Sequence, residues 1–259
     1  MKRLLTGSAA LAVILLLGGC SAASSSDPSP SASSAAADGD VTGEVTVFAA
    51  ASLSPVFDEI AAAFTAEHPA VEVAPIVYDG SSVLVTQLAE GAHADVLATA
   101  DERTMQTLID TGLADDPEPF ATNTLVVAVP AGNPAGITSL ADLADATTVL
   151  CAPEVPCGAA SQTLLDTAGV SVTAASLEQN VSAVLQKIVA GEADAGLVYA
   201  TDVVGEDVES FAPDGSDEVV NRYPIVALDG ATDAGRAFAE FVRGPVGRQI
   251  LADHGFGAP

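Results

Sequence analysis

Basic residues are scarce in this chain of 259: eight Lys and Arg stand against 35 Asp and Glu, a formal net charge of −27. A nucleic-acid backbone is held by neutralising cations, so this balance excludes nucleic-acid binding. Histidine is sparse too, at His68, His93 and His254, and none has metal-ligand spacing with a cysteine. Neither a resident metal nor a cofactor is expected. Gly-x-Ser-x-Gly, His-Glu-x-x-His and a Gly-x-x-x-x-Gly-Lys phosphate loop are all missing, which argues against an enzyme. Tryptophan is absent and aromatics make up only 4%, yet 49% of residues are hydrophobic. That is enough for a packed core and too much for a disordered chain.

The amino terminus has the layout of an export signal: Lys2 and Arg3, an apolar run from Leu4 to Leu17, then small residues before Cys20. The run is too short to favour a permanent membrane span. Leu17-Gly18-Gly19-Cys20 resembles the bacterial lipoprotein signal, in which the cysteine is acylated and becomes the new amino terminus. Residues 1–19 are thus expected to be a signal peptide and Cys20 a lipid anchor on the outer face of the cell membrane. Residues 20–42, rich in Ser, Ala, Asp, Pro and Gly, read as a flexible tether. With Cys20 acylated, Cys151 and Cys157 remain as an even pair in an oxidising compartment, where a disulfide is expected over two buried thiols.

Beyond the tether, strands alternate with helices. Val45 to Ala50 is a β-rich run, followed by Ser52 and the helical periodicity Val56, Ile60, Phe64, with Ser52 or Ser54 as N-cap and Pro55 in the first turn. A strand over Val71 to Val77, the turn Gly80-Ser81-Ser82 and a helix over Val83 to Ala89 repeat the unit. A strand over Asp95 to Ala100 and a helix from Asp101 through Leu108 repeat it again. Alternation of this kind predicts a mainly parallel sheet flanked by helices. An internal echo links Gln87 to Val96 with Gln186 to Ala195: each is a helix ending at Gly, then Ala-Asp, then a strand, with Asp101 or Asp202 beyond. The echo favours two similar α/β lobes. The strands Thr124 to Val129 and Tyr223 to Ala227 are the expected crossings, giving lobe 1 as 43–121 plus 225–259 and lobe 2 as 122–224. A two-strand hinge permits closure over a ligand.

Ligands of open α/β sheets sit beyond the carboxyl ends of strands, where helix N-termini present free amides. Four turns here put small or hydroxyl residues at that place: Ala51-Ser52, Gly80-Ser81-Ser82, Pro156-Cys157-Gly158 and Asn180-Val181-Ser182, two in each lobe. Tyr199, ending the strand Ala195 to Val198, adds a phenolic donor. Such a cleft would suit a fully deprotonated oxyanion with no basic side chain. Taken singly, Ser52 and Ser81 are equally well explained as N-caps, Val181 as core and Tyr199 as a half-buried strand residue; the argument rests on the four turns together.

Phe48-Ala49-Ala50-Ala51-Ser52-Leu53, Gly80-Ser81-Ser82, Gly91-Ala92-His93-Ala94-Asp95-Val96, Val155-Pro156-Cys157-Gly158 and Gly196-Leu197-Val198-Tyr199 together resemble the molybdate-binding proteins of ABC transporters. The likeness runs in order from about residue 44 to His254-Gly255-Phe256. It implies a type II, two-lobe periplasmic-binding-protein fold that carries molybdate or tungstate to a membrane permease with its cytoplasmic ATPase. It also implies a monomer without cofactor. The implied contacts are Ser52 and Ser81 through hydroxyl and N–H, Cys157 and Val181 through N–H, and Tyr199 through its hydroxyl. Some family members have alanine where Cys157 stands; a backbone contact survives that change, and a bridge to Cys151 would pin the loop. Receptors for sulfate or another tetrahedral oxyanion, an enzyme on the same scaffold, and a surface adhesion lipoprotein are the competing expectations.

Overall fold

The computed structural model describes residues 41–259; the expected signal peptide, Cys20 and nearly all of the expected tether lie outside the described residues. In chain order the elements are β1 (Gly43–Val45), β2 (Val47–Ala50), a 3-10 turn (Ala51–Leu53), α1 (Ser54–Glu67), β3 (Val71–Val73), β4 (Val77–Asp79), α2 (Ser81–Ala89), β5 (Val96–Ala98) and α3 (Glu102–Ile109). Then come β6 (Glu118–Pro130), a 3-10 turn (Leu140–Ala144), β7 (Thr148–Cys151), α4 (Pro156–Ala168), β8 (Ser176–Glu178), α5 (Val181–Val189) and β9 (Ala195–Tyr199). β10 (Val208–Phe211), a 3-10 turn (Ser216–Glu218), β11 (Val220–Ala227), α6 (Asp233–Arg243) and α7 (Pro245–Asp253) complete the chain.

The strands run in the order β4-β2-β5-β11-β6-β9-β7-β8, with β10 added on β6 and β1 pairing β3 in a small separate sheet. β2 is parallel to β4 and β5, and β7 is parallel to β8 and β9. Between these parallel halves lie the antiparallel strands β11 and β6. Within each half the pairing is mainly parallel, as the alternation of elements predicts, and the central strands make the sheet as a whole mixed. The long strand β6 changes partners along its length: residues up to Thr124 face β11, and from Leu125 onward it lies between β9 and β10. The register of β11 slips between Tyr223 and Pro224, as expected for a strand proline, which has no N–H for the ladder.

The run Val71 to Val77, read from sequence as one strand, is two. β3 pairs with β1, and after Ala74-Pro75 the chain re-enters the large sheet as β4 beside β2. Pro75 cannot donate to a ladder, and the break occurs there. The Val45 to Ala50 run also divides at Thr46, whose N–H donates to Asp95 Oδ2 at 2.8 Å and whose carbonyl accepts the Asp95 N–H at 2.8 Å. The internal echo repeats this exchange: Thr147 N–H donates to Asp194 Oδ2 at 2.8 Å, and Thr147 C=O accepts the Asp194 N–H at 2.9 Å. In both copies the preceding glycine, Gly91 or Gly191, takes positive φ, 98° and 69°, a conformation that favours glycine. The Ala-Asp signature is thus a joint that ties the start of an inner strand to its neighbour.

α1 buries Val56, Phe57, Ile60 and Phe64, a stripe at helical spacing. Phe64 meets Phe238 of α6 edge-on at 5.3 Å, and Phe57 lies 5.8 Å from Phe120 of β6. Each ring contributes about 1.5–3 kcal/mol by burial. These contacts bring the carboxyl-terminal helices back to the half of the molecule where the chain began.

Candidate functional site

The two serines singled out from sequence are not helix caps. Ser52 lies inside the 3-10 turn ahead of α1, the N-cap of α1 is Leu53, and no side chain caps it. Ser81 is the first residue of α2, whose N-cap Gly80 has no capping side chain. The hydroxyls have other partners. Ser52 Oγ shares a hydrogen bond of 3.1 Å with the Tyr223 hydroxyl, and Ser81 Oγ accepts the Ala100 N–H at 3.0 Å. Both serines are buried.

A single amide group links the two halves of the molecule behind these hydroxyls. Asn221 Nδ2 donates to the Ala100 carbonyl at 2.9 Å and to the Tyr199 hydroxyl at 3.0 Å. The Ala100 residue in turn donates its N–H to Ser81. Ser81 and Tyr199 hydroxyls thus each accept from an N–H, which leaves their own O–H hydrogens to donate elsewhere. Burial pushes the Tyr199 phenol well above its ordinary range, reinforced by the nearby Tyr223, Asp202 and Asp101. It stays protonated, and so a donor, throughout the physiological range.

The helix N-termini add backbone donors, since N–H groups of a first turn have no intrahelical acceptor. Pro156 opens α4 and has no N–H, so Cys157 supplies the first one. In α5 the Asn180 side chain caps the Ala183 N–H at 2.9 Å and leaves that of Val181 at the tip. An acidic residue in the first turn stabilises a helix, and acids are plentiful in this chain. Yet α1, α2, α4 and α5 have none there, whereas α3 and α6 carry Glu102 and Asp233. The four helices that follow the singled-out turns carry no acid in their own first turns, as is also true of α7; beside α2 the Asp79 carboxylate stands just outside the helix and accepts the Gly80 N–H at 2.7 Å.

Ser52, Ser81, Cys157, Val181 and Tyr199 line one cavity, together with Ala50, Asp79, Gly80, Val155 and Asn180. No Lys or Arg lines it, and its one ionisable carboxylate is Asp79. The cavity is small, about 10 Å³, about the space of one water and far below that of organic-ligand pockets. Cys151 and Cys157 form a disulfide with Cα atoms 5.7 Å apart, which joins the end of β7 to the N-terminus of α4. On the far side of Ser52 a wider hollow of about 330 Å³ is bordered by Ser54, Gln186, Thr201 and Asp202. Burial pushes the Asp202 carboxyl up to about 7, against the Tyr199 N–H, which donates to it at 2.8 Å. Among the described residues, no group of three or more His, Cys, Asp and Glu side chains could hold a metal ion.

Two α/β halves joined through a central strand pair, with helix N-termini facing a small cavity, define the class of two-lobe, type II periplasmic binding proteins. A structure of the periplasmic molybdate-binding protein of Azotobacter vinelandii matches with a TM-score of 0.70 at 18% identity, over 83% of this chain and 99% of the other. The sulfate-binding protein SubI of Mycobacterium tuberculosis matches with a TM-score of 0.67 at 19% identity, over 82% and 86%. The chain belongs to the bacterial extracellular solute-binding protein family, whose model matches residues 45–257. Among curated relatives, the molybdate-binding protein ModA of Mycobacterium tuberculosis is 41% identical over 222 residues, covering 83% of this chain and 85% of the relative.

Sequence reasoning missed Asn221, Tyr223, Asp79 and the structural work of Asn180. The signal for the first pair was present: along β11 Asn221 and Tyr223 are buried while Val220 and Arg222 are not. An inward-facing polar residue on an alternating strand must have partners. Asp79 gave no comparable signal, because a carboxylate at a strand end is usually solvated.

Proposed function

We propose that this protein captures molybdate, or tungstate, between its lobes outside the cytoplasmic membrane and delivers it to the permease and ATPase of an ABC transporter. The observation that carries this reading is the polarity of the cavity: helix N-termini without acidic first turns, and buried hydroxyls that each accept one N–H and keep their own O–H to donate. A fully deprotonated tetrahedral oxyanion only accepts hydrogen bonds, so a cage of neutral donors holds it without a basic side chain. Ser52 and Ser81 would each contribute hydroxyl and N–H, Cys157 and Val181 their N–H groups, and Tyr199 its hydroxyl. Molybdate is preferred over other dianions because the relative at 41% identity is named for it. Sulfate is the second reading, supported by the fold likeness to a sulfate-binding protein.

In this account lobe 1 comprises 43–121 with 225–259 and lobe 2 comprises 122–224, hinged on β6 and β11. The mature protein is a monomer that begins at an acylated Cys20, is tethered to the outer face of the membrane and catalyses no reaction. A thermal-unfolding series tests the ligand. Molybdate at a hundredfold excess over its dissociation constant should stabilise the protein by about 2.7 kcal/mol, with sulfate at the same concentration doing far less. Equal stabilisation by sulfate would favour the second reading, and none by either would refute both.

A further inference from the structure

Gly80, at the N-cap of α2, has φ −58° and ψ 132°, a backbone conformation open to any L-residue. Conformation therefore does not call for glycine here. Space does: a Cβ at Gly80 would overlap the carbonyl oxygen of Gln179, with that residue's carbonyl carbon at 3.1 Å and Val155 Cγ1 at 3.5 Å. A backbone carbonyl cannot swing aside as the end of a flexible side chain can. Gly80 connects β4 to α2 in one half of the molecule, whereas Gln179 and Val155 belong to the β9-β7-β8 half. The side chain is excluded only where the two halves meet.

Polar ties run along the same line. Asn180 uses its two ends separately: Oδ1 caps α5, and Nδ2 donates across the gap to Asp79 Oδ1 at 3.0 Å. The same carboxylate oxygen accepts the Gly80 N–H at 2.7 Å. Beside them the Glu154 carbonyl accepts from Ser82 Oγ at 2.7 Å and from Arg103 Nη2 at 3.1 Å. Capping alone would be served by Asp, Ser or Thr; reaching Asp79 as a donor requires the amide.

We propose that Gly80, Asp79 and Asn180 form the closing seam of the cleft: a missing side chain and a cross-cleft amide–carboxylate tie set how far the lobes close. They are positioning residues that seat the N-terminus of α5 against Ser81. The proposal rests on the cavity being the ligand site. Gly80→Ala inserts a wedge that only the closed form feels. Asn180→Ser keeps a capping hydroxyl but is too short to reach Asp79. Apparent affinity falls in proportion to the fraction of protein still able to close, so Gly80→Ala should weaken molybdate binding at least about tenfold, and Asn180→Ser by a smaller factor.

The test is small-angle X-ray scattering of the purified protein and both variants, with and without molybdate, alongside calorimetric affinity and melting temperature. The seam predicts a compact wild type with molybdate and a more extended Gly80→Ala at the same ligand concentration, with ligand-free melting little changed. Gly80→Ala that closes and binds like the wild type would overturn it. Failure of the wild type to bind molybdate would instead fault the ligand assignment. The seam is then read with tungstate or sulfate in place of molybdate, and it falls if Gly80→Ala compacts with the anion as far as the wild type does.

Discussion

Replacing Tyr199 by Phe removes one oxygen and separates two of its roles. Toward the proposed ligand, the hydroxyl is a donor to a charged acceptor in a buried site, worth about 1.5–3 kcal/mol, or about ten- to a hundredfold in dissociation constant. Toward the protein, the hydroxyl accepts from Asn221 Nδ2 at 3.0 Å, and Asn221 is only 7% exposed. Phe would leave that N–H hydrogen without a partner, at about 1–3 kcal/mol of stability, while the bond from Asn221 to the Ala100 carbonyl persists. The variant should therefore bind molybdate more weakly in isothermal titration and unfold at lower urea. Asn221→Leu should also weaken binding, because it frees Tyr199 and loosens the Ala100 peptide that Ser81 engages. Since the two residues are bonded to each other, the double variant should lose less than the sum of the single losses. Tyr199→Phe with affinity within twofold of the wild type would refute the donor role, and additive losses would refute the coupling.

Ser52→Ala and Ser81→Ala should each weaken molybdate binding by about 1.5–3 kcal/mol in titration, and Ser81→Ala should also melt lower because it strands the buried Ala100 N–H; wild-type affinity in both would overturn the site. Reducing the Cys151–Cys157 bridge should cost about 2–3 kcal/mol in denaturant unfolding and lower affinity, whereas unchanged affinity would argue that the bridge does not pin the Cys157 loop. Burial raises the Asp202 pKa from 3.8 to about 7, so its contribution to stability is full below about 3.8 and is lost as pH rises through about 7. Asp202→Asn should flatten the fall in melting temperature between pH 5 and 8, and an equally steep fall would contradict the assignment. Asp95 acts in the opposite sense: burial pushes its carboxyl up, but the Thr232 and Thr46 N–H groups outweigh that and lower it, so its stabilisation is lost only in acid.

The residues that carry the fold were legible because their cues are local. Pro55 and Pro156 open helices, Gly91 and Gly191 end them, and the Ala-Asp pair that recurs after each glycine marks the start of an inner strand. The runs Thr124 to Val129 and Tyr223 to Ala227 stood out as the expected crossings, within β6 and β11, but not their antiparallel pairing, because pairing direction depends on contacts distant in sequence. The small-residue turns pointed to five residues that the folded chain brings to one cavity. Ser52 and Ser81 stood equally well as caps until their partners, Tyr223 and Ala100, were visible. Asp79 could not be read from spacing, since its partner Asn180 lies 101 residues away, and the alternation along β11 marked Asn221 as needing partners without pointing to Ala100, 121 residues away.

Isothermal titration of the purified protein with molybdate, tungstate, sulfate and phosphate tests the central claim most directly. The account predicts tight one-to-one binding of molybdate and tungstate, with sulfate and phosphate far weaker. A folded sample, free of carried-over ligand, that releases no heat with any of the four would contradict it.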